Sequence, residues 1–227
     1  MDTVFTYNGH ANLSLETSGY KLLIDPWFIG NPWVRISADE VEADYVLVTH
    51  AHYDHLGETI EILKRTGAIG ISNPEICEWV EQQGLKTRSV QVGEELDFPF
   101  GRVIPTKAEH HSTFKDGSSG GDPVGFLIMT LDGKSIYLAG DTKLFGDMAL
   151  MSKEGIDLAA LPIGGHYTMD PEDALKAVKL LKPKMVVPIH YNTFDLIKQD
   201  PEAWKTRVEA ETTTEVTVLQ PGESLVF

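Results

Sequence analysis

Three imidazoles and a carboxylate fall within six residues in the stretch Thr49-His50-Ala51-His52-Tyr53-Asp54-His55-Leu56-Gly57. Ligands alternating at 50, 52 and 54 can share one face of a tight turn, whereas His55, adjacent to Asp54, has to aim elsewhere. One short loop can therefore serve two metal ions. Neutral imidazole and carboxylate without thiolate suit zinc, iron or manganese, and catalytic sites of this kind leave a position for water. Four ligand-type residues in six argue against a polar surface loop that merely happens to be rich in histidine.

Such side chains need rigid elements on both sides to hold their geometry. The run Asp44-Tyr45-Val46-Leu47-Val48 reads as a buried strand, and Leu56 to Arg65 as a helix closed by Gly67. Residues 3–7 and 12–16 alternate like an antiparallel pair, with Lys21-Leu22-Leu23-Ile24 as a third strand ending at Asp25-Pro26. Asn73-Pro74-Glu75 opens a helix that Gly84 closes, and Asp170-Pro171 opens another that runs through Leu181. Further strands are predicted around 68–71, 88–92, 95–99, 102–106, 156–163 and 185–189, and Val124 to Leu131 pairs with Ser135 to Ala139 about the Asp132-Gly133 turn. The alternation marks an α/β layered fold. With 227 residues, 42% of them hydrophobic, and no linker-like segment, one domain over 1–227 is expected.

Composition removes several function classes. Thirty-four acidic against 19 basic residues give a formal charge of −15, which disfavours a phosphate-tracking surface and so a nucleic-acid partner. A small-molecule substrate is expected instead, and a small anionic one stays open because two divalent metals would offset the charge locally. Cys77 is the only cysteine, so neither an internal disulfide nor a thiolate zinc site can form. No apolar run reaches the length of a membrane span and no signal-peptide pattern follows Met1, so the expected location is the cytoplasm.

Other residues with chemical potential are scattered along the chain. His10 sits in a Gly-His turn between two strands, and Asp25 ends a strand ahead of proline. His110 and His111 are adjacent, and because neighbours on an extended segment point to opposite sides, only one of them can serve as a ligand. Asp141, His166 and His190 each follow a strand, the usual place for site residues in layered α/β folds. The segment from Pro26 to Ile36 holds Trp27, Phe28 and Trp33 without helical or strand period. It is a pocket wall or lid, a contact between subunits of a homo-oligomer, or packing over a sheet edge.

The first stretch resembles the His-x-His-x-Asp-His signature of the metallo-β-lactamase superfamily, whose members fold as an αββα sandwich and mostly hydrolyse substrates with one or two metals. Gly9-His10-Ala11, Leu23-Ile24-Asp25-Pro26, Ala139-Gly140-Asp141-Thr142, Leu161 to Met169 and Pro188 to Thr193 extend the likeness over nearly the whole chain. Together they are similar to a branch of predicted metal-dependent hydrolases related to bacterial ascorbate-6-phosphate lactonases and to N-acylphosphatidylethanolamine-hydrolysing phospholipase D enzymes. The resemblance implies a first metal on His50, His52 and His111, a second on Asp54, His55 and His190, and Asp141 between them. His111 is favoured over His110 because the superfamily commonly follows its third histidine with a small hydroxyl residue. Asp25 would support the histidine loop by hydrogen bonding.

The implied chemistry is hydrolysis of an ester, lactone or phosphodiester by a hydroxide bridged between two divalent ions. Zinc is the first choice, with manganese or iron also compatible. Coordination lowers the pKa of water from about 15.7 towards 7 and polarises the scissile oxygen. Asp54 would orient the water, while His166 and His10 would stabilise the oxyanion or protonate the leaving group. Two other classes compete. A di-iron oxidoreductase would carry a glutamate where this chain has His52, and a non-catalytic metal-binding protein would not need the full ligand set.

Overall fold

Period-two alternation decides the layering of this chain, described over residues 2–227 in a computed structural model. The first sheet contains β1 (Val4–Gly9), β2 (Asn12–Thr17), β3 (Tyr20–Ile24), β4 (Tyr45–Leu47), β5 (Ile69–Ser72) and β6 (Thr87–Ser89). The second contains β7 (Leu96–Phe98), β8 (Gly101–Lys107), β9 (Val124–Thr130), β10 (Ser135–Leu138), β11 (Leu158–Pro162), β12 (Met185–Ile189) and β13 (Glu215–Val216). A last strand, β14 (Glu223–Val226), returns to the first sheet beside β1, giving the orders β14-β1-β2-β3-β4-β5-β6 and β13-β12-β11-β10-β9-β8-β7.

Odd and even positions of the same strand serve different layers. Phe5, Leu15, Leu22 and Leu47 of one sheet meet Phe126, Ile136, Leu158 and Val187 of the other in a shared central core. Their sequence neighbours point outwards. Leu23 and Val46 pack under α2 (Thr59–Thr66) and α3 (Pro74–Glu81), whereas Tyr137, Ala159 and Val186 pack under α5 (Pro171–Leu181) and α6 (Pro201–Glu211). Short helices α1 (Tyr53–Leu56) and α4 (Met148–Met151) complete the helical layers. The result is the αββα sandwich expected from the sequence. Each fully buried Leu, Ile or Phe stabilises by about 1.5–3 kcal/mol, so a one-residue slip that exchanged the faces would be prohibitive.

The predicted caps form: the Asn73 side chain accepts from Ile76 N, and that of Asp170 from Asp173 N. The single helix predicted from Leu56 to Arg65 is instead two, parted at Gly57. Gly57 has φ +41°, and a Cβ there would lie 2.3 Å from the Pro26 carbonyl oxygen. The break lets the chain press against the loop after β3, where Glu58 N donates to Pro26 O at 3.0 Å and the Glu58 carboxylate accepts from Phe28 N at 2.7 Å. The histidine loop is thereby anchored to the loop that carries Asp25. Among the described residues, no helix is long and apolar enough to cross a membrane.

Candidate metal centre

Strand direction gathers the chemistry at one edge. In the first sheet β2 is antiparallel to both β1 and β3, and β3 and β4 are parallel, so β1, β3 and β4 end together. In the second, β8 and β10 are both antiparallel to β9, and β10, β11 and β12 are parallel, so their carboxyl ends also coincide. His10, Asp25 and the His50–His55 turn leave the first set of ends, and His110, Asp141, His166 and His190 follow the second. The sheets are stitched together here, with His190 N donating to His10 O at 2.9 Å and Val124 N to Thr49 O at 3.0 Å. His10, Asp25, His166 and His190 all adopt φ between +46° and +62°, backbone strain of a kind that concentrates where side chains must be aimed.

Two groups of donor atoms result, and a third, His50, His55 and Asp141, links them. His50, His52 and His110 form one, and His10, Asp54, His55 and His190 the other, with the atoms of each group within 4.8 Å of one another. Asp141 lies between the groups. Its Oδ1 is 3.3 Å from His55 Nε2, and its Oδ2 is 3.1 Å from His190 Nε2 and 3.5 Å from His110 Nε2. Gly140 makes this approach possible: at φ +61°, a Cβ would sit 2.9 Å from the Thr49 Cβ.

The structure brings His110, and not His111, to the first donor group. The His110 ring lies 3.3 Å through Nε2 from His52 Nδ1, whereas His111 is exposed and belongs to neither group. The small hydroxyl at 112 has a different task. Ser112 Oγ accepts from Ala51 N at 3.1 Å and so holds the histidine loop itself. Glu109 N donates to Thr142 Oγ1 at 2.9 Å, and Lys143 N to Glu109 O at 3.0 Å, which fastens residue 110 beside Asp141.

Asp25 sets the tautomers of both groups. Its Oδ2 accepts from His55 Nδ1 at 2.7 Å and from the Thr49 hydroxyl at 2.7 Å, and its Oδ1 accepts from Thr49 N at 2.8 Å. Having donated its proton to Asp25, the Thr49 oxygen accepts from His50 Nδ1 at 3.0 Å. Both Nε2 atoms are left to face the centre. This is the supporting role that the resemblance implied for Asp25, and the arrangement by which outer carboxylates orient metal-binding imidazoles.

Buried polar atoms here lack protein partners. His55 Nε2, Asp141 Oδ1 and both nitrogens of His190 are buried and make no hydrogen bond, even where a neighbour is within reach but badly aligned. Such atoms cost about 1–3 kcal/mol each when left unmatched. An imidazole and carboxylate set of this kind fits a divalent cation such as zinc, manganese or iron. Burial keeps His50, His52 and His110 from protonating, His110 being pushed down to about 4. Burial also opposes a charge on His55, but Asp141 and Asp25 outweigh it and raise that group well above the ordinary histidine range. Burial likewise works against the Asp141 carboxylate, yet His190 and His55 hold its pKa well below the usual value.

His10 joins the second donor group, whereas His166 lies outside both. His10 is 0% exposed, with Nε2 donating to Asp54 Oδ2 at 3.2 Å and Nδ1 taking the Thr193 hydroxyl at 2.8 Å, so both ring nitrogens have protein partners. Burial lowers its pKa to about 3, which keeps the ring neutral. His166 is exposed and lines a neighbouring cleft with His111 and Lys143. In its place Tyr167 reaches the cavity over the donor groups. That cavity, about 400 Å³, is floored by His52, Asp54, His110, Asp141 and His190 and walled by Tyr53, Tyr167 and Phe194. No sequence pattern pointed to these three aromatics.

The aromatic segment after β3 divides its labour. Phe28 packs into the core under α2, while Ile29 and Trp33 remain exposed. Trp27 turns to the site, edge-on to His10 with ring centroids 5.2 Å apart and stacked on Phe194 at 5.9 Å. It supports the wall of the cavity from behind.

Comparison with known proteins identifies the family. Residues 20–191 match the model of a family described as the beta-lactamase superfamily domain. A UPF0173 metal-dependent hydrolase of Heliobacterium modesticaldum is 49% identical over 230 residues, covering 98% of this chain and 96% of the relative. A second, from Thermus thermophilus, is 47% identical over 219 residues and covers 96% of each chain. Among solved structures, Igni18, a metallo hydrolase of the archaeon Ignicoccus hospitalis, superposes with a TM-score of 0.92 at 40% identity, covering 100% of this chain and 99% of that one. The chain belongs to the beta-lactamase superfamily.

Proposed function

We propose that this member of the beta-lactamase superfamily is a metal-dependent hydrolase that holds two divalent cations, zinc by preference, and cleaves an ester, lactone or phosphodiester bond in a small molecule. His50, His52 and His110 would hold the first ion, and Asp54, His55 and His190 the second, with Asp141 shared. When bound, such a pair makes water nucleophilic near neutral pH and polarises the scissile oxygen. One observation carries the reading. Donor atoms from both sheets form two adjacent groups joined by Asp141, and several of them are buried without a protein partner.

The chain's own groups would do the rest. Burial pushes the Asp54 carboxyl up, but the His10 hydrogen bond and the nearby His55 pull it below its ordinary range, so Asp54 stays ionised and able to accept a proton from water. His10 holds that carboxylate in place, itself fixed by Thr193. The names carried by the relatives, metal-dependent hydrolase and metallo hydrolase, agree with this activity.

The test is turnover of zinc- and manganese-loaded protein on p-nitrophenyl esters, lactones and bis-p-nitrophenyl phosphate, with Asp54→Ala and chelator-treated protein as controls. Metal-dependent cleavage of at least one, lost in Asp54→Ala, is expected. Turnover indifferent to metal and to Asp54 would end the assignment.

A further inference from the structure

The cavity over the metal cluster separates its chemistry sharply between floor and walls. Its carboxylates and imidazoles belong to Asp54, Asp141, His52, His110 and His190, all members of the donor groups, while the walls are the rings of Tyr53, Tyr167 and Phe194. Neither lysine nor arginine lines it. Lys143, in the adjoining cleft, directs its ammonium to the backbone carbonyls of His166 at 3.0 Å and Thr168 at 2.8 Å. A charged substrate group away from the scissile bond would therefore meet no counter-charge, in a chain whose net charge is −15.

The walls are built to receive apolar surface. Tyr53 is 59% and Tyr167 46% exposed, large aromatic area left uncovered beside a polar floor. They are also firmly mounted. Trp27 meets Tyr53 edge-on at 5.8 Å and stacks on Phe194 at 5.9 Å, so three rings from three separate segments form one continuous surface. Tyr167 is held by the two Lys143 hydrogen bonds to the carbonyls on either side of it. A volume of about 400 Å³ accommodates a small ligand.

From this we propose that the substrate is an uncharged carboxylic ester or lactone with an apolar acyl part, which seats against Tyr53, Phe194 and Tyr167. The proposal rests on the hydrolase reading above and selects among its substrate classes. In the reaction the water oxygen bonds to the acyl carbon and the acyl–oxygen bond breaks. One proton of water passes to the departing alkoxide, giving alcohol and carboxylic acid with no other reactant. An acyl chain in this cavity gains about fourfold in kcat/KM for each methylene it buries, so specificity follows acyl length and not charge.

The experiment compares zinc-loaded protein on p-nitrophenyl acetate, p-nitrophenyl butyrate and bis-p-nitrophenyl phosphate, each rate divided by that of spontaneous hydrolysis. Butyrate is expected to exceed acetate by about 16-fold in kcat/KM, and both to exceed the phosphodiester. Tyr53→Ala and Phe194→Ala should each draw the butyrate-to-acetate ratio towards one. Calorimetry should also show octanoate binding at least tenfold more tightly than acetate, with a negative heat-capacity change from apolar burial. A ratio near one in the unmodified protein, a ratio unmoved in both variants, or preferred metal-dependent cleavage of the phosphodiester would overturn the proposal while leaving the hydrolase reading intact. Absence of metal-dependent turnover on every substrate would overturn both.

Discussion

Asp25 and His55 are joined by a 2.7 Å hydrogen bond between Oδ2 and Nδ1, with both side chains almost entirely out of solvent. The same carboxylate reaches His50 through the Thr49 hydroxyl, so one residue that belongs to neither donor group aims a nitrogen into each. Asp25→Asn should therefore weaken both cations together, by about 10–100-fold in affinity. Competition against a chromophoric chelator measures this. Weakening of a single ion would mean that the Thr49 relay does not govern His50.

His110 and His111 provide the sharpest test of register. His110→Ala should cost about one metal equivalent in elemental analysis and abolish metal-dependent turnover, whereas His111→Ala should keep full metal content. The opposite outcome would restore His111 as the ligand.

Acid should empty the two groups in sequence. His50, His52 and His110 resist protonation, His110 down to about 4, so a cation there displaces no proton at neutral pH. His55 is held above the ordinary histidine range, and a cation must displace its proton, which makes affinity on that side rise with pH. Lowering the pH from 8 to 5 in metal titrations should release the ion on the His55 side first. Simultaneous loss would contradict the division.

His10 and His166 should behave differently when truncated. His10→Ala removes the only imidazole that hydrogen-bonds Asp54, and turnover should fall by about a hundredfold or more. His166→Ala takes away an exposed ring outside the cavity floor and should alter turnover by less than about threefold with metal content unchanged. Steady-state kinetics on one ester suffices for both.

Gly57→Ala should unsettle the fold without touching a ligand. The added methyl would stand 2.3 Å from the Pro26 oxygen at a φ of +41°, so the loop carrying Asp25 must shift. A loss of about 2 kcal/mol or more is expected, seen as a Tm lower by about 4–8 °C.

The strand periodicity and the caps at Asn73 and Asp170 were legible because each is a local preference that the tertiary structure leaves undisturbed. The His50–His55 turn was legible because its ligand types crowd into one segment. His110 was not, since the choice between neighbours depends on Glu109 being tied to Thr142 and Lys143, contacts 33 and more residues away. The hydroxyl of Ser112 misled for a related reason, being directed to the Ala51 amide. The wall residues Tyr53, Tyr167 and Phe194 lie on three separate segments whose meeting no local pattern announces.

The stitching of His190 to His10 across the two sheets has a consequence for how such a protein comes into being. Neither half of the polypeptide owns the centre: a nascent chain that has extruded its first six strands carries an incomplete ligand set, and the last donor arrives only with His190. The full donor set is therefore assembled only after the two halves have docked.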